Sequence, residues 1–174
     1  MPGELGSILR GTAALSLALL LALLLTVLRW RFTAETALRQ GVLRLFQVGI
    51  ALQCVHFLEE HLTGFFRRFP EALGLPAWGA DFFITFNVLW IAVWILAVEA
   101  LRRGWRGGLL PAWFFALAMA GNGIAHPLLA LASTGYFPGL VTSPMVGVVG
   151  FLLLARLFRA TARRPAPSAV SRPS

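Results

Sequence analysis

"GTAALSLALLLALLLTVL", residues 11–28, is a run of 18 residues without a charged side chain. At about 1.5 Å per residue, a helix of this length nearly spans the hydrocarbon core of a bilayer, which is about 30 Å thick. The rest of the chain is similar, since 58% of its 174 residues are hydrophobic and its mean hydropathy is +0.77. A soluble domain of this size cannot bury that much apolar surface. The composition therefore predicts a membrane protein.

Four further apolar stretches complete the predicted bundle. Between Arg106 and Arg156 there is no Asp, Glu, Lys or Arg, and this stretch is long enough for two spans, with Gly and Pro at 133–139 marking the turn. We predict an all-α, five-helix transmembrane bundle in one membrane domain, residues 1–159. Its helices are expected at about 9–29, 41–61, 82–101, 109–132 and 140–158. Residues 160–174, rich in Pro, Ser and Arg, are expected to form a disordered cytoplasmic tail.

The charges give the bundle a predicted orientation. All 15 basic residues are arginines, and five helices put twelve of them on one side of the membrane and three on the other. Because positive charge accumulates on the cytoplasmic side, the N-terminus is predicted outside and the C-terminus in the cytoplasm. The arginines flank the spans instead of forming one stripe, so the predicted partner is the lipid bilayer and no nucleic acid is expected.

One short motif, "HFLEEH" at residues 56–61, concentrates ionisable groups in this oily chain. His56, Glu59 and Glu60 lie at i, i+3 and i+4 and share one face of a helix, which Gln53 extends by one turn. His61 falls about 140° away and is predicted to lie at the rim. Ionisable groups inside a membrane usually face the bundle interior and mark function.

Other predicted helices carry polar groups at the same depth. Counting about 1.5 Å per residue from the predicted cytoplasmic ends puts them within a few ångströms of the level of His56. We therefore expect these side chains to converge in the outer half of the bundle. The polar residues at this level are Asn87, Asn122, His126 and Ser143, and Asp81 and Tyr136 lie just above them in the outer loops.

The motif differs from the zinc signatures H-E-x-x-H and H-x-x-E-H, because its i+4 position is Glu60 and not a second histidine. A metal would need its second imidazole from another helix, and His126 is the candidate donor. Two histidines and one carboxylate suit catalytic zinc, which keeps a fourth position open. We place Glu60 with His56 and His126 as ligands. Since the spacing does not decide between the carboxylates, Glu59 and Glu60 both remain candidates for the catalytic base.

Asn122 is expected to orient a ligand or stabilise an oxyanion, and it is the third predicted catalytic residue. Asn87, on the third helix, and Asp81, in the loop just before it, are expected to support the site. Residues 61–81 contain three phenylalanines, a tryptophan and two arginines that suit a segment lying on the outer leaflet. We expect this segment to cover a pocket between the second, third and fourth helices.

Three motifs in order resemble those of the HXXEE domain family of small multi-pass bacterial membrane proteins. They are H-x-x-E-E at His56/Glu59/Glu60, N-x-x-x-H at Asn122/His126 and Y-x-P-G at Tyr136/Pro138/Gly139. The resemblance covers about residues 40–155. It implies that Tyr136, Pro138 and Gly139 support the same site, and that the chain lies in a bacterial cytoplasmic membrane. It names no substrate.

The leading functional prediction is a membrane-embedded, metal-dependent enzyme that acts on a lipid-like or amphipathic substrate at an outer-leaflet site. A hydrolase or another lipid-modifying enzyme fits best, with a divalent metal such as zinc as cofactor. Three alternatives stay open. They are a metal-free isomerase or hydratase with a His–Glu acid/base pair, a proton- or cation-coupled carrier, and a structural membrane subunit.

Overall fold

The computed structural model describes residues 2–32 and 36–162. Most of the described residues are helical and none lies in a strand, which confirms the all-α prediction. Most of the tail predicted at 160–174 lies outside them. The helices are α1 (Pro2–Gly11), α2 (Ala13–Leu28), α3 (Thr36–Thr63), α4 (Phe65–Ala72), α5 (Ala80–Arg102), α6 (Leu109–Ala132, preceded by a 3-10 turn at Arg106–Gly108) and α7 (Ser143–Ala160).

Several of these helices have the dimensions of membrane spans. By length and hydropathy, α3, α5, α6 with its 3-10 turn, and α7 can each cross a bilayer. Helices α1 and α2 meet at an angle of 53° and supply a fifth span if the bent pair is counted as one. Leucines along α2, such as Leu17, Leu20 and Leu24, are exposed, as expected for side chains that face lipid. The bundle thus has four or five candidate spans, and the orientation of its ends remains a prediction.

The break between α1 and α2 interrupts the helix that the sequence predicts at 9–29. Gly11 lies against the indole of Trp78, and a Cβ atom at Gly11 would be only 2.3 Å from Trp78 Cζ2. Ser7 Oγ donates a hydrogen bond of 2.6 Å to the carbonyl of Pro76, and Trp78 Nε1 donates to Ser7 Oγ over 3.2 Å. Helix α1 is therefore tied to the segment before α5, which explains its change of direction.

Helices α6 and α7 form the closest pair in the bundle. A Cβ atom on Gly123 would lie 2.4 Å from the Cα of Gly147, so each glycine permits the approach of the other. Helix α3 packs on α7 and α5, and α2 packs on α6. Buried aromatic and branched side chains fill the space between these helices. They include Phe46, Trp94, Trp113, Phe115, Leu153 and Leu157.

An aromatic cap closes the end of the bundle where α3 ends and α5 begins. Gly64, with a φ of +78°, stops α3 and turns the chain into α4. Short α4 then brings its phenylalanines against Trp78 and α5. We define the aromatic cap as Phe65, Phe66, Phe69, Trp78 and Phe83.

Candidate metal centre

Two residues of the candidate metal centre lie on one face of α3. His56 and Glu60 are one helical turn apart, and their side chains point into the bundle, with 0% and 5% of their surface exposed. Gln53, one turn earlier, is equally buried at 4%. A buried polar group is costly unless it is paired, so this face requires partners from other helices.

Helix α6 supplies the second imidazole, from His126. Glu60 Oε1 lies 3.3 Å from His126 Nε2 and 3.5 Å from His56 Nε2. The two imidazole rings meet edge to face with their centroids 4.8 Å apart. One ligand atom from each of the three residues lies within 4.8 Å of the other two. The structure therefore brings together the three residues that the sequence assigns as metal ligands, and we call them the His–Glu–His cluster.

Hydrogen bonds at the far side of each ring fix which nitrogen carries the proton. His126 Nδ1 lies 2.6 Å from the carbonyl oxygen of Pro138, and a carbonyl can only accept, so Nδ1 is the donor. His56 Nδ1 lies 2.6 Å from Thr142 Oγ1, whose own proton goes to Glu59 Oε2 at 2.5 Å. His56 Nδ1 must therefore donate as well. In the neutral rings, both Nε2 atoms keep a lone pair directed toward the cluster.

Glu59 has a different environment from Glu60, although the two are adjacent. Its Oε1 accepts hydrogen bonds from the Tyr136 hydroxyl at 2.8 Å and from the Val141 amide at 3.0 Å. Its Oε2 accepts from the Thr142 amide at 2.9 Å and from the Thr142 hydroxyl. All these donors lie in the connection between α6 and α7. Glu59 thus faces that connection, and its contact with the His–Glu–His cluster runs through Thr142 to His56.

Tyr136 is a suitable donor to Glu59. Partial burial raises the pKa of its phenol above the ordinary value, and the hydrogen bond to the Glu59 carboxylate raises it further. The phenol therefore keeps its proton at neutral pH and continues to donate to Glu59.

Gly139 fills the narrow space beside both imidazole rings. Its φ of +85° lies in the left-handed region that favours glycine. A Cβ atom there would lie 2.5 Å from His126 Cε1 and 2.9 Å from His56 Cε1. A larger residue at this position would have to displace at least one ring.

The other predicted site residues lie at varying distances from the cluster. Asn122 Nδ2 is 3.5 Å from His56 Nε2, at the edge of the cluster. Asn87 is buried and donates to the carbonyl of Phe83, one turn earlier on α5. Asp81 is exposed in the first turn of α5. His61 packs beside the Phe57 and Phe66 rings, and it is not a member of the cluster.

A cavity of about 240 Å³ adjoins the cluster. Its walls are largely apolar, and α2, α4, α5 and α6 all contribute to them. Glu60 and His126 from the cluster line it, together with Asn122. Helices α2 and α5 flank the cavity, and both pack on α6, but they make few or no contacts with each other. The aromatic side chains in its walls are Phe65, Phe69, Trp78, Phe82, Phe83, Phe86, Trp90, Trp94 and Phe114.

A family model described as "Protein of unknown function with HXXEE motif" matches residues 47–153, more than half of the chain. The chain belongs to the HXXEE family. The comparisons with curated proteins and with solved structures gave no match.

The structure gives the residues of two motifs in this HXXEE protein a physical role. In H-x-x-E-E, His56 and Glu60 belong to the His–Glu–His cluster, and Glu59 accepts hydrogen bonds from the connection between α6 and α7. In Y-x-P-G, Tyr136 donates to Glu59 and Pro138 accepts from His126, while the glycine packs on both rings.

Thr142 is the residue that sequence reasoning missed. It lies three positions beyond the Y-x-P-G motif, and a threonine in a turn carries no signal for contact with α3. Its role depends on the path of the backbone through residues 139–142, where two amides and one hydroxyl converge on Glu59. Only the tertiary structure shows this convergence.

Proposed function

We propose that this HXXEE protein is a metal-dependent membrane enzyme, and that the His–Glu–His cluster holds a divalent ion such as zinc. The proposed substrate is lipid-like or amphipathic and occupies the adjoining cavity. Hydrolysis, or another modification of a lipid, is the reaction class that this arrangement supports best.

One observation carries the metal proposal. The bonds from His56 to Thr142 and from His126 to Pro138 turn both Nε2 lone pairs toward the same carboxylate oxygen. Three acceptors in a buried space repel one another unless a cation lies between them. Because the cluster is almost fully buried, water can do little to screen that repulsion. The Asn122 amide, 3.5 Å from His56 Nε2, is too distant to compensate the cluster alone, whereas a metal ion or an additional proton would do so.

Two of the three ligand separations match those of a metal site, and the third pair lies within 4.8 Å. Ligand atoms about 2.0–2.1 Å from zinc, at tetrahedral angles, are about 3.3–3.4 Å from each other. Glu60 Oε1 lies 3.3 and 3.5 Å from the two Nε2 atoms. Three protein ligands leave a fourth position for water or substrate, as in catalytic zinc sites. A metal bound there would polarise a carbonyl or lower the pKa of a bound water.

Hydrogen bonds from residues around the cluster orient its two imidazole rings. Glu59 and Thr142 hold the His56 ring in its tautomer, and the Pro138 carbonyl does the same for His126. Such outer hydrogen bonds tune metal ligands and are typical of built metal sites. Since donors surround both oxygens of Glu59, we assign it as a positioning residue instead of the general base that the sequence also allowed. Asn122 lies at the edge of the cluster and lines the cavity, so it can contact substrate.

The cavity supports a lipid-like substrate. Its lining is mostly apolar and aromatic, whereas Glu60, His126 and Asn122 are among the few polar groups in it. This combination is typical of a site that orients an apolar ligand by a few polar contacts. We propose that a molecule dissolved in the bilayer enters between α2 and α5, because both helices line the cavity and their backbones have few contacts with each other.

A metal-free acid/base enzyme is the second candidate. A proton shared between Glu60 and His126, which are 3.3 Å apart, would also relieve the repulsion. The same residues would then exchange protons with substrate, as an isomerase or hydratase requires.

Elemental analysis of the detergent-purified protein tests the first candidate against the second. We expect about one divalent metal per chain in the wild type, and loss of the metal in His56→Ala and His126→Ala. His61→Ala is the matched control, because His61 belongs to the HFLEEH motif but lies outside the cluster. It should keep the metal.

Circular dichroism and gel filtration of each variant would show whether metal loss reflects unfolding. The metal proposal would be refuted if the wild-type protein is folded but contains no metal, and still retains no zinc after incubation with zinc and dialysis. Metal retained equally in all three variants would also refute it, because the cluster would then not be the binding site.

A further inference from the structure

The cavity beside the His–Glu–His cluster is elongated. From His126 at the cluster, its wall continues along α6 for 12 positions, as far as Phe114. On α5 the wall extends from Phe82 to Trp94, which is again 12 positions. Because a helix rises about 1.5 Å per residue, both helices give the cavity a length of about 18 Å.

Ring contacts show which ends of the two helices correspond. At one end, Phe65 of the aromatic cap lies between α5 and α6, with its ring centroid 5.9 Å from that of Phe83 and 5.4 Å from that of His126. At the other end, the centroids of Trp94 and Phe114 are 6.4 Å apart. Both of these side chains are almost fully buried, at 4% and 3% exposed. The cluster therefore lies at one end of the cavity, and Trp94 and Phe114 close the other.

Four aromatic rings form one wall over the whole of this length. They follow one another at four-residue intervals on α5, with neighbouring centroids 5.8, 6.4 and 5.9 Å apart. We call them the aromatic ladder, which consists of Phe82, Phe86, Trp90 and Trp94. Helices α2 and α6 contribute small side chains to the wall, including Ala14, Ala18, Ala118, Gly121 and Ala125. An apolar space of this kind offers water too few hydrogen-bond partners, and it suits a hydrocarbon chain.

We propose that the cavity holds one hydrocarbon chain of a single-chain amphiphile, and that Trp94 and Phe114 determine the length of chain that it accepts. Resting on the proposed function, this inference names the part of the substrate that the cavity selects, whatever the head group. A cavity of about 150 Å³ in a protein core holds one molecule of benzene, so about 240 Å³ corresponds to about ten carbon atoms. Spread over about 18 Å, this volume takes one chain and leaves no room for a second.

The closed end is decisive because the chain comes from the bilayer. Lipid tails are as apolar as the cavity, so a chain gains little hydrophobic free energy when it leaves them. Selection must then depend on fit. A chain that is too short leaves a void, and one that is too long displaces packed side chains at the closed end.

A series of alcohols tests the chain alone, because every member has the same small, uncharged head. Tritiated straight-chain alcohols, from hexanol to hexadecanol, would be bound to the purified full-length protein in nanodiscs. Each alcohol would be present at the same mole fraction of the bilayer, which removes differences in partitioning. We expect the tightest binding near decanol, and binding about tenfold weaker for tetradecanol, which overfills the cavity.

Substitution of Trp94 tests the closed end. Trp94→Ala removes the indole and lengthens the cavity, so the alcohol that binds most tightly should become tetradecanol or a longer one. Trp113→Ala is the matched control, because Trp113 is also a buried tryptophan but does not line the cavity. It should keep the preference for decanol.

Gly121→Leu acts in the opposite direction. Gly121 lines the cavity five positions from His126, about 7.5 Å along α6 toward the closed end. A Cβ atom there meets no other atom within 4 Å, and leucine favours a helix more than glycine does, so this variant should fold. Its side chain shortens the usable space, and octanol or hexanol should bind most tightly. Ile124→Phe is the control, because Ile124 is exposed on α6 outside the cavity wall.

Absence of binding, or affinity that changes steadily with chain length in the wild type, would overturn the inference. An unchanged preference for decanol in folded Gly121→Leu protein would overturn it too, whether or not Trp94→Ala folds. The metal content of the same samples separates this inference from the proposed function. Bound metal without a preferred chain length would refute the inference and keep the metal, whereas a preferred length in protein shown to bind no metal would do the reverse.

Discussion

Replacing Thr142 with valine tests whether the outer hydrogen bonds of the cluster matter to metal binding. Valine has nearly the same shape as threonine but lacks the hydroxyl that accepts from His56 Nδ1 and donates to Glu59 Oε2. The Thr142 backbone amide keeps its bond to Glu59, so the turn itself should persist. The change therefore removes two hydrogen bonds without removing a ligand.

The expected effect follows from those two bonds. Among the residues that the structure describes, Thr142 Oγ1 is the acceptor for the His56 Nδ1 proton, so without it the ring loses both its orientation and its preferred tautomer. Loss of such an outer partner typically lowers metal affinity about 10–100-fold, or about 1.4–2.8 kcal/mol. We expect Thr142→Val to fall in that range, with the fold unchanged by circular dichroism.

Competition with a chromogenic chelator would measure the affinity in detergent. Thr161→Val is the matched control, because Thr161 is also buried, directly after the end of α7, but its hydroxyl bonds to the Leu157 carbonyl. It should bind metal like the wild type. Wild-type affinity in a folded Thr142→Val protein would show that the relay from Glu59 to His56 does not tune the site, and would refute this reasoning.

Three further predictions concern the turn, the two carboxylates and the topology. Gly139→Ala should lower the free energy of unfolding by about 2–5 kcal/mol in denaturant, because it adds left-handed backbone strain to a clash with the His56 and His126 rings. Gly135→Ala is the control, because a Cβ atom there meets open space, and it should leave the stability unchanged. Equal stability of the two variants would contradict this prediction. Glu60→Gln should abolish metal binding in elemental analysis, whereas Glu59→Gln should only weaken it, and the opposite order would exchange their assigned roles. Reporter fusions should place the 64–80 loop outside and the C-terminus in the cytoplasm, and a cytoplasmic loop would invert the predicted orientation.

The contribution of sequence to the fold is clearest in the last three long helices. The uncharged runs and the turn near Pro138 predict α5, α6 and α7 to within a few residues, because hydrophobic length and Gly/Pro punctuation are local signals. The break near Thr12 is not predictable in this way. It depends on the contact of Gly11 with Trp78, which is distant along the chain.

The site shows the same division between local and distant information. Helical spacing groups His56 with both glutamates, and matching depth identifies His126 as the second imidazole. Spacing cannot separate Glu59 from Glu60, because positions i+3 and i+4 are both neighbours of i. The packing of the α6–α7 connection against Glu59 distinguishes the two carboxylates. The same packing brings Thr142 into contact with Glu59 and His56.

The connection between α6 and α7 has a consequence for the order of assembly. The His126–Pro138 bond joins residues 12 positions apart, whereas the Glu59–Thr142 bonds join residues 83 positions apart. In a membrane, helices insert first and associate afterwards. The α6–α7 hairpin, closed by Gly123 and Gly147, can therefore set the tautomer of its histidine before α3 arrives. Docking of α3 then completes the cluster in one step. Uptake of the proposed metal should therefore coincide with the association of α3 with the α6–α7 hairpin.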